Sequence, residues 1–264
     1  MIIKLLAVGD IVGLAAVEYL KKNMWKIRDL VGADAVIANG ENAWDVRGIG
    51  ANEAKDLLEG GVDLLTTGNH VWGRKDVYSM LDNDSRLLRP ANFPAVCPGS
   101  GHSIIDVCGY RVLCINAQGT IYMDPLENPF WAVERILSLE EGRYDLSVLD
   151  FHAEATSEKI AMAMNFDGKI SAVWGTHTHV QTADERVFKG GTGYITDLGM
   201  TGPEDGILGS EPGPIIERLK TRMPQRFSVA QGETVLCGAL FSLDTESGKC
   251  TAVKRVKIRP TDIN

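Results

Sequence analysis

Three short apolar runs near the N-terminus, residues 2–8, 35–38 and 62–67, are separated by two segments of helical periodicity. In the first of these segments Val17, Leu20, Met24 and Ile27 recur at the spacing of one helix face, and Gly32 follows as a stop. The second, residues 51–59, closes on Gly60-Gly61. The runs are uniformly apolar rather than alternating, which suits strands covered on both faces. Strand, helix, strand, helix, strand in that order predicts βαβαβ connectivity and an α/β fold.

The alternation continues less regularly. Residues 112–115, 146–151, 172–174, 235–243 and 252–258 read as strands. Asn128-Pro129 opens a helix, with proline at a first-turn position where its missing N–H costs nothing. Thr156 is the expected cap of a helix reaching residue 165, and residues 214–222 read as a further helix. No repeat, low-complexity tract or linker divides the 264 residues, so a single domain over 1–264 is expected.

The polar residues are placed with more discrimination than the apolar ones. Asp10, Glu41, Asn69, His152 and His177 each lie at or just past the end of a strand-like run. Ligands of open α/β sheets sit outside the carboxyl ends of the strands, so these side chains, distant in sequence, are candidates to converge. Each has a plainer alternative. Asp10 suits a helix cap, Glu41 and Asn69 suit turns, and one histidine after an apolar run is commonly a hydrogen-bonded core residue. His177 and His179, one residue apart after a strand, point more strongly to a metal cluster. Carboxylate, amide oxygen and imidazole together suit first-row divalent ions, and no thiolate joins them. A carboxylate can bridge two ions about 3.5–4 Å apart, the spacing used for displacement at phosphorus.

Charge and cysteine usage narrow the setting. Acidic residues number 35 and basic residues 27, a net charge of −8 that does not attract long nucleic acid. Cys97, Cys108, Cys114, Cys237 and Cys250 are odd in number and widely spaced, which excludes a disulfide framework and fits a reducing compartment. The opening MIIKLLAVGD is too short for a secretory signal, and no run reaches a membrane-spanning length. A cytoplasmic location is expected, and a homo-oligomer is compatible with the sequence.

Together with these residues, the stretches GDIVG (9–13), NGENA (39–43), TTGNHVW (66–72), RPANFP (89–94), DFHAEATSEK (150–159), GTHTHVQTAD (175–184) and ITDLGMTGPEDGILG (195–209) resemble the bacterial YmdB-type phosphodiesterases, a branch of the calcineurin-like metallophosphoesterases. The likeness runs from residue 1 to about residue 255. Two blocks depart from the wider superfamily: Asp10 is followed by Ile11-Val12 instead of x-His, and Gly40-Glu41-Asn42 replaces Gly-Asp. The YmdB-type branch shares both changes. The resemblance implies a layered β-sandwich flanked by helices and a two-metal centre, with iron first, then manganese or zinc. It implies that Asp10, Asn42 and His179 hold one ion, that Asn69, His152 and His177 hold the other, and that Glu41 bridges them. It further implies a metal-bridging hydroxide as nucleophile, His70 as general acid, and small 2′,3′-cyclic nucleotides as substrates, with 3′,5′-cyclic nucleotides as a further class. A cyclic phosphodiester carries one charge and needs no extended basic groove, in keeping with the acidic balance. Residues 118–130 and 196–209 are candidate pocket walls. Two other functions would use the same residues: a phosphomonoesterase or nuclease on the same metals, and a nucleotide-responsive regulatory binding protein.

Overall fold

A computed structural model describes residues 1–263. The first half of the chain forms β1 (Ile2–Val8), β2 (Asp10–Ile11), α1 (Leu14–Val31), β3 (Ala35–Asn39), α2 (Ala51–Glu59), β4 (Leu64–Thr66), α3 (Tyr78–Asn83), β5 (His102–Val107) and β6 (Tyr110–Gln118). The second half adds α4 (Pro129–Leu139), β7 (Leu146–His152), α5 (Thr156–Asn165), β8 (Ala172–Thr176), β9 (Arg186–Val187), β10 (Gly193–Ile195), β11 (Met200–Pro203), α6 (Pro212–Thr221), β12 (Thr234–Asp244) and β13 (Cys250–Ile258).

The strands make two sheets. One has the order β2-β11-β12-β1-β3-β4, with β13 also paired to β12; the other has the order β5-β6-β7-β8-β10-β9. β1, β3 and β4 are parallel, as are β6, β7 and β8. Alternation along each strand sorts the side chains. Ile3, Leu5 and Ala7 of β1 meet Val112, Cys114, Val148 and Trp174 of the other sheet in a common core. Leu6 and Val8 of β1 point the opposite way and pack with Val17, Leu20 and Met24 of α1. On the far side, Leu149 and Phe151 of β7 pack with Val133 of α4 and Met162 of α5. The result is a helix–sheet–sheet–helix sandwich, as the resemblance implied. Among the described residues no helix is long and apolar enough to cross a membrane.

Several local expectations change. Asp10 caps nothing: it is buried in β2, and α1 begins four residues later, behind Gly13. Thr156 is the first residue of α5 rather than its cap; Ala155 holds the cap position, where its methyl can accept no hydrogen bond and only its backbone carbonyl receives Glu158 and Lys159 N–H. α6 begins at Pro212, two residues earlier than expected, with proline again in the first turn. β5 was not anticipated. It forms a hairpin with β6 through Cys108 and Gly109, both at positive φ (54° and 85°), as a tight two-residue turn requires. Cysteine is an unusual occupant of that first position, which hid the signal.

Candidate metal centre

The carboxyl ends of β1, β3, β4, β7 and β8 open at one end of the sandwich, and the predicted residues meet there. β2 turns Asp10 inward by pairing in parallel with β11, Asp10 opposite Met200. Glu41 and Asn42 follow β3, Asn69 and His70 follow β4, His152 closes β7, and His177 and His179 follow β8.

His152 is the hub. It has no exposed surface, and its Nε2 lies 3.1 Å from Glu41 Oε2, 3.0 Å from Asn69 Oδ1 and 3.1 Å from His177 Nδ1. Glu41, His152 and His177 each place one ligand atom within 4.8 Å of the others. Asp10, also fully buried, lies beside this group. Its Oδ2 accepts from His177 N–H at 3.1 Å, while its Oδ1 has no hydrogen-bond partner and lies 3.7 Å from His152 Nδ1 and 3.9 Å from His179 Nε2. Asn42 gives its amide nitrogen to Val46 O (2.9 Å) and approaches His70 Nδ1 (3.2 Å), but its buried Oδ1 is unpartnered. His70 is half-buried, with Nδ1 3.2 Å from Glu41 Oε1 and its backbone N–H on Glu41 Oε2.

The electrostatics are those of a site short of positive charge. Burial pushes the Asp10 carboxyl up to about 6, against the pull of His179 and His152. Glu41 is held well below the usual carboxylate range although burial opposes it, because His152 lies alongside and His152 and His70 both bond it. Burial works against a charged His152 ring, yet Glu41 and Asp10 push it up to about 9. Burial, then the charge on His152, depresses His177 to about 3. One ring nitrogen cannot satisfy two oxygens and a second imidazole at once, and buried oxygens left unpaired are costly. Oxygen and imidazole donors crowded around unpaired Asp10 Oδ1 and Asn42 Oδ1 fit divalent cations.

The backbone is shaped to hold this cluster. A Cβ on Gly68 would collide with His152 Cδ2 and Nε2 and with Glu41 Oε2, so only glycine lets the Thr67–Asn69 backbone pass. His177 (φ 97°) and His179 (φ 63°) lie in the left-handed region, which persists for such residues only under strong local constraint. Between them, Thr178 gives its N–H (3.2 Å) and hydroxyl (2.7 Å) to Asp197 Oδ2, and buried Lys159 closes on the same oxygen at 2.7 Å.

The centre opens into a cavity of about 340 Å³ walled by Val46, Arg47, His70, Leu208 and Phe227. Leu208 comes from the 196–209 stretch, which does form part of the wall. The 118–130 stretch does not: Pro125, Leu126 and Glu127 border a separate cavity with Arg89 and Arg135. Three residues escaped the reading of the sequence. Glu154 places Oε2 3.1 Å from His177 Nε2, Arg47 reaches the cavity from the loop after Asn42, and Asp150 lies beneath His152. Glu154 and Asp150 stand within the DFHAEATSEK stretch, but nothing in their spacing distinguishes them there from solvent-facing or core positions.

A two-sheet sandwich with carboxylate, amide and imidazole side chains gathered at its strand ends defines a calcineurin-like metallophosphoesterase fold. Within that class the chain belongs to the YmdB-like protein family, whose model matches residues 6–256. It is 41% identical over 255 residues to the 2′,3′-cyclic-nucleotide 2′-phosphodiesterase of Bacillus subtilis (strain 168), spanning 97% of each chain. A crystal structure described as a novel phosphatase from Mycoplasma pneumoniae superposes with a TM-score of 0.92 at 32% identity, over 100% of this chain and 96% of that one. A 5′-nucleotidase structure from Staphylococcus aureus shares the fold alone, with a TM-score of 0.58 at 15% identity over 97% of this chain and 54% of that one. The expectation of a phosphoester hydrolase agrees with these relatives.

Proposed function

We propose that this chain is a metal-dependent phosphodiesterase that opens small cyclic nucleotides, 2′,3′-cyclic ones first and 3′,5′-cyclic ones as a further class. The observation that carries this reading is the meeting of Asp10, Glu41, Asn42, Asn69, His152, His177 and His179 around unpaired buried oxygens at the mouth of one cavity. Asp10, Asn42 and His179 would hold one ion, Asn69, His152 and His177 the other, with Glu41 shared; iron is the first choice, manganese or zinc the next. Bound ions neutralise phosphate charge and lower the pKa of water. Both sheets contribute ligands, which supports one catalytic domain over 1–264.

The remaining steps fall to the protein. Arg47 stands at the cavity to meet a non-bridging phosphate oxygen. Leu208 and Phe227 offer an apolar wall for ribose and base, continuous with a groove beside α6 that shares both residues. His70 gives Nδ1–H to Glu41 Oε1, which leaves Nε2 to pass its proton to the leaving oxygen. Opening the ring at the 2′ ester forms a P–O bond from water as the P–O2′ bond breaks; the His70 proton goes to O2′, and the product is a nucleoside 3′-monophosphate with a free 2′-hydroxyl. General acid catalysis is worth about 10²- to 10⁴-fold, so His70→Ala should keep its metal and lose turnover by that order. Metal content and kcat measured on one preparation test this, and full turnover with bound metal refutes the acid role. A panel of 2′,3′-cyclic AMP, 3′,5′-cyclic AMP, a phosphomonoester and a short RNA tests the substrate. Faster turnover of the monoester or the RNA would overturn the cyclic-nucleotide reading.

A further inference from the structure

Beneath the cluster lies a buried hydrogen-bond network centred on Asp150 and Thr176. Asp150 is 1% exposed. Its Oδ1 accepts from Thr176 Oγ1 at 2.7 Å, and its Oδ2 accepts from Asn39 Nδ2 at 3.0 Å and from the Thr66 hydroxyl. Thr176 has a single hydroxyl proton. Once it is given to Asp150, the oxygen has only lone pairs left. Two groups approach that oxygen: Asn39 Nδ2 at 3.3 Å, which can only donate, and His152 Nδ1 at 2.9 Å. For all of these contacts to be hydrogen bonds, His152 must carry its proton on Nδ1. In the neutral ring Nε2 then carries the lone pair, and it faces Glu41, Asn69 and His177.

We infer that Asp150 and Thr176 are positioning residues that set the His152 tautomer and so make Nε2 its metal-ligating nitrogen. This rests on the metal-dependent reading of the site. The reverse polarity, with Thr176 donating to Nδ1, puts a proton on Nε2 and removes the ligand atom. Neither residue touches the cavity; both act through His152. Partners of this kind fix ring orientation as well as tautomer, and their loss lowers metal affinity by about 10- to 100-fold.

The test uses the full-length chain stripped of metal, with Mn²⁺ as the titrant and thermal melting in EDTA as the structural control. Thr176→Val should bind Mn²⁺ about 10- to 100-fold more weakly than the wild type. Thr176→Ser, which keeps the hydroxyl, should restore most of the affinity. Wild-type affinity in Thr176→Val, or equal loss in Thr176→Ser, overturns the inference. Should Thr176→Val fail to fold, Asp150→Asn is read the same way, because it turns an acceptor facing three donors into a mixed group. ¹⁵N NMR of the Zn²⁺-loaded wild-type protein decides independently of any variant. A ring proton on His152 Nδ1 is expected, and one on Nε2 overturns the inference. If the wild-type protein binds no divalent cation, the metal reading falls first; if it binds and the variants match it, only the tautomer assignment falls.

Discussion

Replacing Gly68 by alanine would put a methyl group where His152 and Glu41 meet. The Gly68 backbone is not in the left-handed region, so alanine brings no torsional strain, and the whole effect is steric. The new Cβ would overlap three atoms on two side chains that are 0% and 1% exposed. Neither can swing aside freely. His152 is held by Thr176 Oγ1 at 2.9 Å, and Glu41 by the His70 backbone N–H at 3.2 Å. Overpacking of a closed site costs about 1–3 kcal/mol. For a chain near this size each kcal/mol lowers Tm by about 2–4 °C, so a fall of roughly 2–12 °C in EDTA is expected. Metal content should fall with it, since Glu41 and His152 are both displaced. Gly213→Ala is the control. That glycine lies in the first turn of α6, away from the centre, and its added Cβ meets no atom beyond its chain neighbours within 4 Å, so its metal content should match the wild type. The measurements are thermal melting in EDTA and metal analysis after reloading and desalting. A Gly68→Ala protein with wild-type Tm and full metal content would refute the packing argument at the centre.

Two further outcomes follow from the buried groups. Lys159 and Asp197 are 1% and 0% exposed, so Lys159→Met strands a buried carboxylate at a cost of about 3–5 kcal/mol. Denaturant unfolding should find the Lys159→Met/Asp197→Asn double variant less destabilised than Lys159→Met alone, and the opposite order would sink the ion-pair account. Burial pushes the thiols of Cys237 and Cys250 up to about 11 and that of Cys114 higher still, whereas Cys108 is exposed at its hairpin turn. Iodoacetamide at pH 8 should therefore modify Cys108 well before these three, as peptide mass spectrometry can follow. Labelling of Cys237 at the rate of Cys108 would contradict its burial.

The α/β alternation was legible because apolar periodicity is a local property: 2–8, 51–59 and 146–151 read correctly from their own residues. The candidate centre was legible at its strand-end polar residues for a related reason. A side chain just past a buried strand has a known direction even before its neighbours are known. Asn42 and His70 needed the family likeness, since each reads locally as a turn or surface residue. Glu154, Arg47 and the β5 hairpin were not legible. The first two matter through partners brought close only by folding, and Cys108 conceals the turn that makes the third.

By itself, the sequence marked the long strands and most of the helices, and the polar side chains that stand at their ends, but not β5, α3 or the short strands β2, β9, β10 and β11. Only the tertiary structure decided how those ends are used. Packing of one sheet on the other set Asp10 beside His177, 167 residues away, and Asn39 beside Asp150, 111 residues away. It also showed that His152 gives one ring nitrogen to Thr176 and keeps the other for the centre. Propensity and periodicity extend over a few residues, whereas the hydrogen-bond polarity of a buried ring depends on every donor and acceptor packed around it. Those neighbours come from both sheets.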